Sequence, residues 1–274
     1  MPIDVKGVSF SYNTGTTLEK VALENINLSI GKGEFILIGG EIGSGKSTLI
    51  RHFNGLLKPS TGQVIVDGMP AHEKHVKTKV GILFQFPQNQ LFAKTVYEDV
   101  AFGPSNFGIK GKQLDKRVIH ALQLAGVREE LYDRSPFTLS GGEMRLVAIA
   151  GVLAMQPDYL LLDEPLSGLD PENKNSLLLL LKTLHSQGIS VVIVSHRIAD
   201  MLFLADRVFL MQDGRVSFKG KPDDYIYSTS SPLPDITSLM KDLRQKGIDV
   251  RDDVFSIEDA FDEITRVQKE RMVR

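Results

Sequence analysis

The sequence predicts an α/β fold built on a mostly parallel sheet with helices over both faces, and three observations carry that prediction. A wholly apolar run, Phe35-Ile36-Leu37-Ile38, enters a glycine-rich turn and then a helical segment from Thr48. Two more apolar runs, residues 159–162 and 190–194, bracket a leucine-rich helix over residues 176–184. Finally, strands that are apolar on both sides and alternate with helices belong to sheets buried on both faces. At 274 residues the chain can bury one substantial core and a small appendage.

Taken in order, residues 5–12 and 22–30 read as strands, the second with the alternation Ile26-Asn27-Leu28-Ser29-Ile30. Gly31-Lys32-Gly33 is a turn. After the first helix, Lys58-Pro59-Ser60-Thr61-Gly62 breaks the chain. Residues 63–67 and 80–84 are short strands. Residues 95–127 turn helical, with an interruption expected at Gly103-Pro104 and a turn from Gly108 to Gly111; Leu114, Val118, Ala121, Leu122 and Ala125 recur at helical spacing. The leucine run near residue 180 sustains no heptad and reads as core. Beyond Gly220 a Ser/Thr/Pro stretch, residues 228–234, resembles a linker. Two amphipathic helices follow, the second capped by Ser256, with Glu258 and Asp259 in its first turn and Ile257, Phe261 and Ile264 expected on one apolar face.

Composition narrows the functional classes. A formal net charge of −2 argues against a nucleic-acid binder, which carries a basic excess. Cysteine is absent, so disulfides and thiolate metal sites are excluded. The N-terminus has no signal pattern, and the apolar runs are too short to span a bilayer. Any membrane role is expected to come through a partner.

The glycine-rich turn, "GGEIGSGKST", places Gly40, Gly43, Ser44, Gly45, Lys46, Ser47 and Thr48 between a strand and a helix. Its spacing is that of the phosphate-binding P-loop. Glycines let backbone N–H groups face an anion, the helix N-terminus adds partial positive charge, Lys46 reaches the outer phosphates and Ser47 holds Mg²⁺. The apolar run at 160–162 ends in Asp163-Glu164, suited to a water-mediated hold on Mg²⁺ by Asp163 and to polarisation of an attacking water by Glu164. Leu139-Ser140-Gly141-Gly142-Glu143 opens another helix and makes a second anion site of hydroxyl, glycines and helix N-terminus.

That last segment resembles the signature motif of the ATP-binding-cassette (ABC) family, and the family's motifs come in order over roughly residues 3–220. The resemblance implies a P-loop ATPase core of parallel sheet plus an antiparallel β subdomain (1–220), a helical signature subdomain at about 95–155, and a C-terminal dimerisation extension (221–274). It implies ATP and Mg²⁺ as cofactors, with each ATP held between the P-loop of one subunit and Ser140, Gly141 and Gly142 of another, and hydrolysis separating them. Tyr12 matches the aromatic that stacks on adenine. Gln85 matches the glutamine that joins the metal site, senses the γ-phosphate and reports to the membrane partner. Asp170 matches the loop crossing the dimer interface, and His196 the histidine at the γ-phosphate. His52, His72, His75, His120 and His185 lack such context and read as packing or surface residues.

"FQFPQNQLF" (84–92), "TVYEDVAFGPSNFG" (95–108) and "SPFTLSGGE" (135–143) resemble the ATPase component of energy-coupling-factor transporters and their cobalt and nickel relatives. The resemblance implies a peripheral protein on the cytoplasmic face of the membrane. Its partners would be a second ATPase, identical or different, a transmembrane coupling protein and, through it, a small substrate-binding membrane protein, with import of vitamins or transition-metal ions as the outcome. Gln88 and Gln90 are candidate contacts to the coupling protein. Glu41 and Ile42 in the P-loop, Leu146 where a basic residue is usual, and Leu166 in place of a common threonine depart from the pattern and leave the equality of the two ATP sites open. The competing readings are a soluble ABC ATPase acting on nucleic acid or ribosomes, and a P-loop switch or kinase. A switch has no use for a signature that acts in trans.

Overall fold

The computed structural model describes residues 2–228 and 235–272. The chain begins with antiparallel strands β1 (Ile3–Tyr12) and β2 (Lys20–Ile30), then runs through β3 (Phe35–Gly39) into helix α1 (Lys46–Phe53). Strands β4 (Thr61–Val66) and β5 (Met69–Pro70) follow, then the single turn α2 (Val76–Lys79) and β6 (Val80–Leu83). Three helices come next: α3 (Val96–Asn106), α4 (Gly111–Leu124) and α5 (Gly141–Leu153). The α/β alternation resumes with β7 (Tyr159–Asp163), α6 (Pro171–Ser186) and β8 (Ser190–Val194), and ends in the hairpin β9 (Arg207–Gln212) and β10 (Arg215–Gly220). Helices α7 (Pro222–Ser228), α8 (Asp235–Gln245) and α9 (Ile257–Met272) close the described chain.

Ten strands form two sheets. One is antiparallel, in the order β2-β1-β4-β5; the other has the order β10-β9-β3-β8-β7-β6, parallel except for β9–β10. Alternation along the central strands explains why they are apolar throughout. Phe35, Leu37, Leu160, Leu162, Val191 and Ile193 face a core shared with the helices, while Ile36, Ile38, Leu161, Val192 and Val194 face a core closed by the antiparallel sheet and α1. All of these side chains are buried, and each fully buried aliphatic contributes about 1.5–3 kcal/mol over its exposed state.

Helix α3 runs through Gly103-Pro104, where an interruption was expected. Pro104 falls in the last turn, and Gly103 passes so close to the end of α5 that a Cβ would lie 2.8 Å from Met155 Sδ. Packing against α5 therefore holds the helix past the residue pair that breaks it in isolation. The Tyr97 hydroxyl donates to Asp115 and links α3 to α4; burial and that carboxylate push its pKa up to about 12. Helix α6 starts five residues before the leucine run, and of that run Leu177, Leu181 and Leu184 are buried.

Beyond Gly220, Tyr225 and Ile226 of α7 bury into the core beneath the large sheet. Helices α8 and α9 instead share a small cluster of Met240, Val250, Val254, Ala260 and Val267. Within it the Arg266 guanidinium and the Arg251 N–H hold the Glu263 carboxyl down to about 2. Ser256 caps α9 by accepting from the Asp259 N–H at 3.1 Å. The inward face of α9 is Ala260, Ile264 and Val267, so Ile257 and Phe261, expected on one apolar face with Ile264, are exposed while Ile264 packs inward. The linker expected at 228–234 lies, past Ser228, outside the described residues.

Candidate nucleotide site

The carboxyl ends of four neighbouring parallel strands carry the chemistry: the glycine loop after β3, Ser195-His196 after β8, Asp163-Glu164 at β7 and Gln85 just beyond β6. In an open α/β sheet that rim is where ligands bind.

The loop needs its glycines. Gly40 has φ +141°, and a Cβ there would meet Met211 O at 2.2 Å; Gly45, the N-cap of α1, has φ +100° and would meet Ala22 O at 2.5 Å. Gly43, at φ +88°, borders open space. The result is a backbone cradle opening onto a helix N-terminus, which fits a phosphate chain. Lys46 Nζ donates to Gly40 O and Glu41 O, both at 2.7 Å, and to Ser44 Oγ at 3.4 Å. Burial lowers the Lys46 pKa, while Glu164 and Asp163 oppose that shift. Glu41 meets Lys46 through its carbonyl and its side chain is exposed, as is that of Ile42, so neither departure from the usual loop fills the cradle.

Ser47 Oγ donates to Asp163 Oδ1 at 2.9 Å. Asp163 is buried, which raises its pKa against the Ser47 hydrogen bond and the Arg51 charge. Among the described residues no three His, Asp or Glu side chains are grouped to hold a metal. A cation here would take a hydroxyl, one carboxylate and the nucleotide's phosphates, the sparse oxygen set that suits Mg²⁺. Gln85 is exposed just past the β6 terminus, and among the described residues no hydrogen bond joins it to Ser47 or Asp163.

Glu164 follows β7 with φ +47°, a left-handed conformation uncommon for a side-chain-bearing residue. Its N–H donates to Val194 O at 2.9 Å. Its carboxylate accepts from Ser195 Oγ at 2.8 Å, from the His196 N–H at 2.8 Å and from His196 Nδ1 at 2.9 Å. Glu164 and His196, far apart in sequence, thus form one unit. Ser195 completes it and was not singled out from the sequence; its adjacency to His196 was the only signal.

Tyr12 is tied to α1 by a 3.1 Å hydrogen bond between its hydroxyl and Thr48 Oγ1, with its ring edge-on to Phe10. His52, buried beneath, packs edge-on to the same Phe10 and hydrogen-bonds Thr48 O, so it is a packing residue; His72, His75 and His120 are exposed.

Ser140 caps α5 in a complete capping box: its Oγ accepts from the Glu143 N–H at 3.3 Å, and Glu143 Oε2 accepts from the Ser140 N–H at 2.9 Å. The Ser140 N–H and Arg128, at 2.8 Å, hold the Glu143 carboxyl below its ordinary range. Asp170 caps α6, accepting from the Asn173 N–H at 3.0 Å. Asn173 lies against Gly142, which brings the starts of α5 and α6 together. Among the described residues no hydrogen bond or ion pair joins Ser140, Gly141 or Gly142 to the glycine loop, so the two helix starts, each a candidate anion site, are separate in one chain.

The family model for ABC transporters matches residues 23–167. The energy-coupling factor transporter ATP-binding protein EcfA2 of Caldanaerobacter subterraneus subsp. tengcongensis is 44% identical over 278 residues, which cover 97% of each chain. Among solved structures, cbiO1 of Clostridium perfringens, part of the ABC transporter complex cbiONQ, superposes with a TM-score of 0.75 at 36% identity over 89% of this chain and 94% of that one. The cassette MJ0796, seen as a dimer bound to ADP and Pi in a post-hydrolysis state, gives 0.72 at 33% identity over 80% of this chain and 98% of its own. With the glycine cradle, the Asp163-Glu164 strand end and the capped signature helix in place, this chain belongs to the ABC transporter ATPases, enzymes that couple ATP hydrolysis to transport.

Proposed function

We propose that the chain is one half of an ATPase pair energising a membrane importer of the energy-coupling-factor type, for a vitamin or a transition-metal ion. The observation that carries this reading is the match to EcfA2, which extends over 97% of both chains and therefore beyond the cassette into the C-terminal helices. In this reading the 40–48 loop cradles the phosphates of ATP, Tyr12 stacks on adenine, and Ser47, Asp163 and Gln85 hold Mg²⁺, which offsets phosphate charge. Glu164 polarises the water that attacks the γ-phosphorus, and His196 contacts the γ-phosphate. Ser140, Gly141 and Gly142 close over the nucleotide of the partner ATPase, with Asp170 at the interface. The separation of the two anion sites within one chain supports that exchange.

Phe86 and Phe92, each 56% exposed, follow Gln85 closely, and Phe92 packs edge to face on the exposed Phe102. These rings suit helices of a transmembrane coupling protein. Gln88 is free to contact them, whereas Gln90 is turned inward, accepting from the Phe84 N–H at 3.1 Å. Among the described residues no helix is long and apolar enough to cross a membrane, so the proposed place of this chain is peripheral, on the cytoplasmic face. Affinity capture of the full chain from its native membranes in mild detergent should bring down a coupling membrane protein and a small integral-membrane partner. Ribosomes or nucleic acid without any membrane protein would overturn the importer reading in favour of a soluble ABC ATPase.

The extension after Gly220 is proposed to join the two ATPases. Ile257 and Phe261, one turn apart on α9 and 78% and 69% exposed, supply an apolar face that its own cluster leaves uncovered. Phe261→Asp with Ile257→Asp is expected to shift the ATP-free protein toward monomer in light scattering; an unchanged dimer mass would sink this role. Truncation after Gly220 is a poorer test, because it strips Tyr225 and Ile226 from the main core.

A further inference from the structure

Arg145 stands just over one turn into the signature helix, with its side chain turned toward the segment after β7. Its guanidinium forks across the chain, donating from Nη1 to Pro165 O at 2.6 Å and from Nη2 to Ser167 O at 3.1 Å. Those two carbonyls flank Leu166 in the short segment between Glu164 and Asp170. No carboxylate among the described residues pairs with this guanidinium, and burial lowers its pKa with nothing to offset it. A partly buried cation held only by carbonyl dipoles costs stability, so packing alone does not account for it.

The geometry of the segment suggests the task. Ser167 N–H closes a turn on Glu164 O at 3.2 Å, Leu166 is buried in the core, and Gly168 has φ +72°. The turn therefore hangs from Glu164 at one end and leads to the Asp170 cap of α6 at the other. Glu164 itself sits in a left-handed conformation, so a small shift of the turn re-aims its carboxylate. The fork ties this turn to α5, whose first residues follow Ser140. A helix transmits displacement along its axis as a rigid body, and the rise from Ser140 to Arg145 is only about 7.5 Å. A second contact, Gly142 against Asn173, joins the same two helix starts.

We infer that Arg145 is a positioning residue that couples the two nucleotide sites of the ATPase pair, by tying the helix that receives the partner's nucleotide to the turn that orients Glu164 over its own. The inference rests on the sandwich arrangement proposed above. Arginine suits this task where lysine does not. A planar fork holds two carbonyls at once in fixed geometry, and an ammonium on a flexible stem does not.

The test uses the full chain in its assembled ATPase pair, comparing Arg145→Lys and Arg145→Ala with the parent. Four quantities are measured: ATP-driven closure of the pair, as a fall in radius of gyration by X-ray scattering, nucleotide affinity by calorimetry, the thermal midpoint, and hydrolysis as a function of ATP concentration. For a two-site machine the Hill coefficient of Arg145→Ala is expected to fall from about 2 toward about 1, with kcat down by up to about 10²-fold, the cost of a misplaced catalytic group. Nucleotide affinity should stay within about twofold, the spread for sites that share no partner, since the fork makes no bond to the 40–48 loop. Arg145→Lys should fall between the two. If the parent closes on ATP and Arg145→Ala keeps its kcat and Hill coefficient, the coupling role is wrong and the sandwich stands. A uniform fall of kcat, affinity and thermal midpoint in both variants, with cooperativity intact, reduces Arg145 to a structural residue. Absence of ATP-driven closure in the parent removes the sandwich reading and this inference together.

Discussion

Glu164→Gln is expected to lower steady-state ATP turnover by about 10²- to 10⁴-fold, the contribution of a positioned general base, with nucleotide still bound. Glutamine has nearly the same shape as glutamate, and the surroundings dictate how it sits. Two of the three donors at Glu164 come from His196, both to Oε1, so the amide oxygen belongs there. The amide nitrogen then faces Ser195 Oγ, which can turn from donor to acceptor. The substitution thus keeps the local network and removes only the capacity to take a proton. The glycine cradle, Lys46 and the Ser47–Asp163 pair make no hydrogen bond to this carboxylate, so calorimetric affinity for ATP should be retained. Near-normal turnover in the variant would end the assignment of Glu164 as base.

Lys46→Ala should act at the earlier step. Deleting one partner of a buried, charge-assisted contact costs about 2–5 kcal/mol, so ATP affinity is expected to drop by roughly 30-fold to several thousandfold. The ammonium bonds three groups of its own loop, Gly40 O, Glu41 O and Ser44 Oγ, so alanine also releases the restraint that shapes the cradle. Burial already disfavours the charge on Lys46, and an arriving polyphosphate would restore what burial takes away. Calorimetry of the variant against ATP is the direct check, and an affinity within twofold of the parent would discard the role.

What could be read from the sequence and what could not have distinct physical causes. Gly40, Gly45, Lys46 and Ser47 were legible because a phosphate cradle fixes both residue types and spacing within one turn. Asp163 and Glu164 were legible only in company with the P-loop earlier in the chain, because an apolar strand that ends in two acids is by itself a weak signal. Ser195 and Arg145 were not, since their partners lie across the fold. Ser195 meets a side chain 31 residues away, and Arg145 meets backbone carbonyls, which carry no residue signature. On α9 the larger side chains, Ile257 and Phe261, drew the expected face toward themselves, but the tight α8–α9 cluster admits Ala260 instead. Gly103-Pro104 misled for a similar reason: local propensity favours a break, and contact with Met155 outweighs it.

All the strand ends that carry chemistry lie on one rim of the large sheet, and the opposite rim has a practical value of its own. There the turn after α6 reaches solvent at Gln187 and Gly188, and a Cβ at Gly188 would meet nothing within 4 Å. Gln187 has an ordinary φ of −83° and an exposed side chain, so it accepts a foreign group without strain. Because the native chain has no cysteine, Gln187→Cys would furnish a single thiol to carry a fluorophore or spin label. A probe there would report any ATP-dependent change in the distance between two such chains, from the side of the sheet opposite the candidate site.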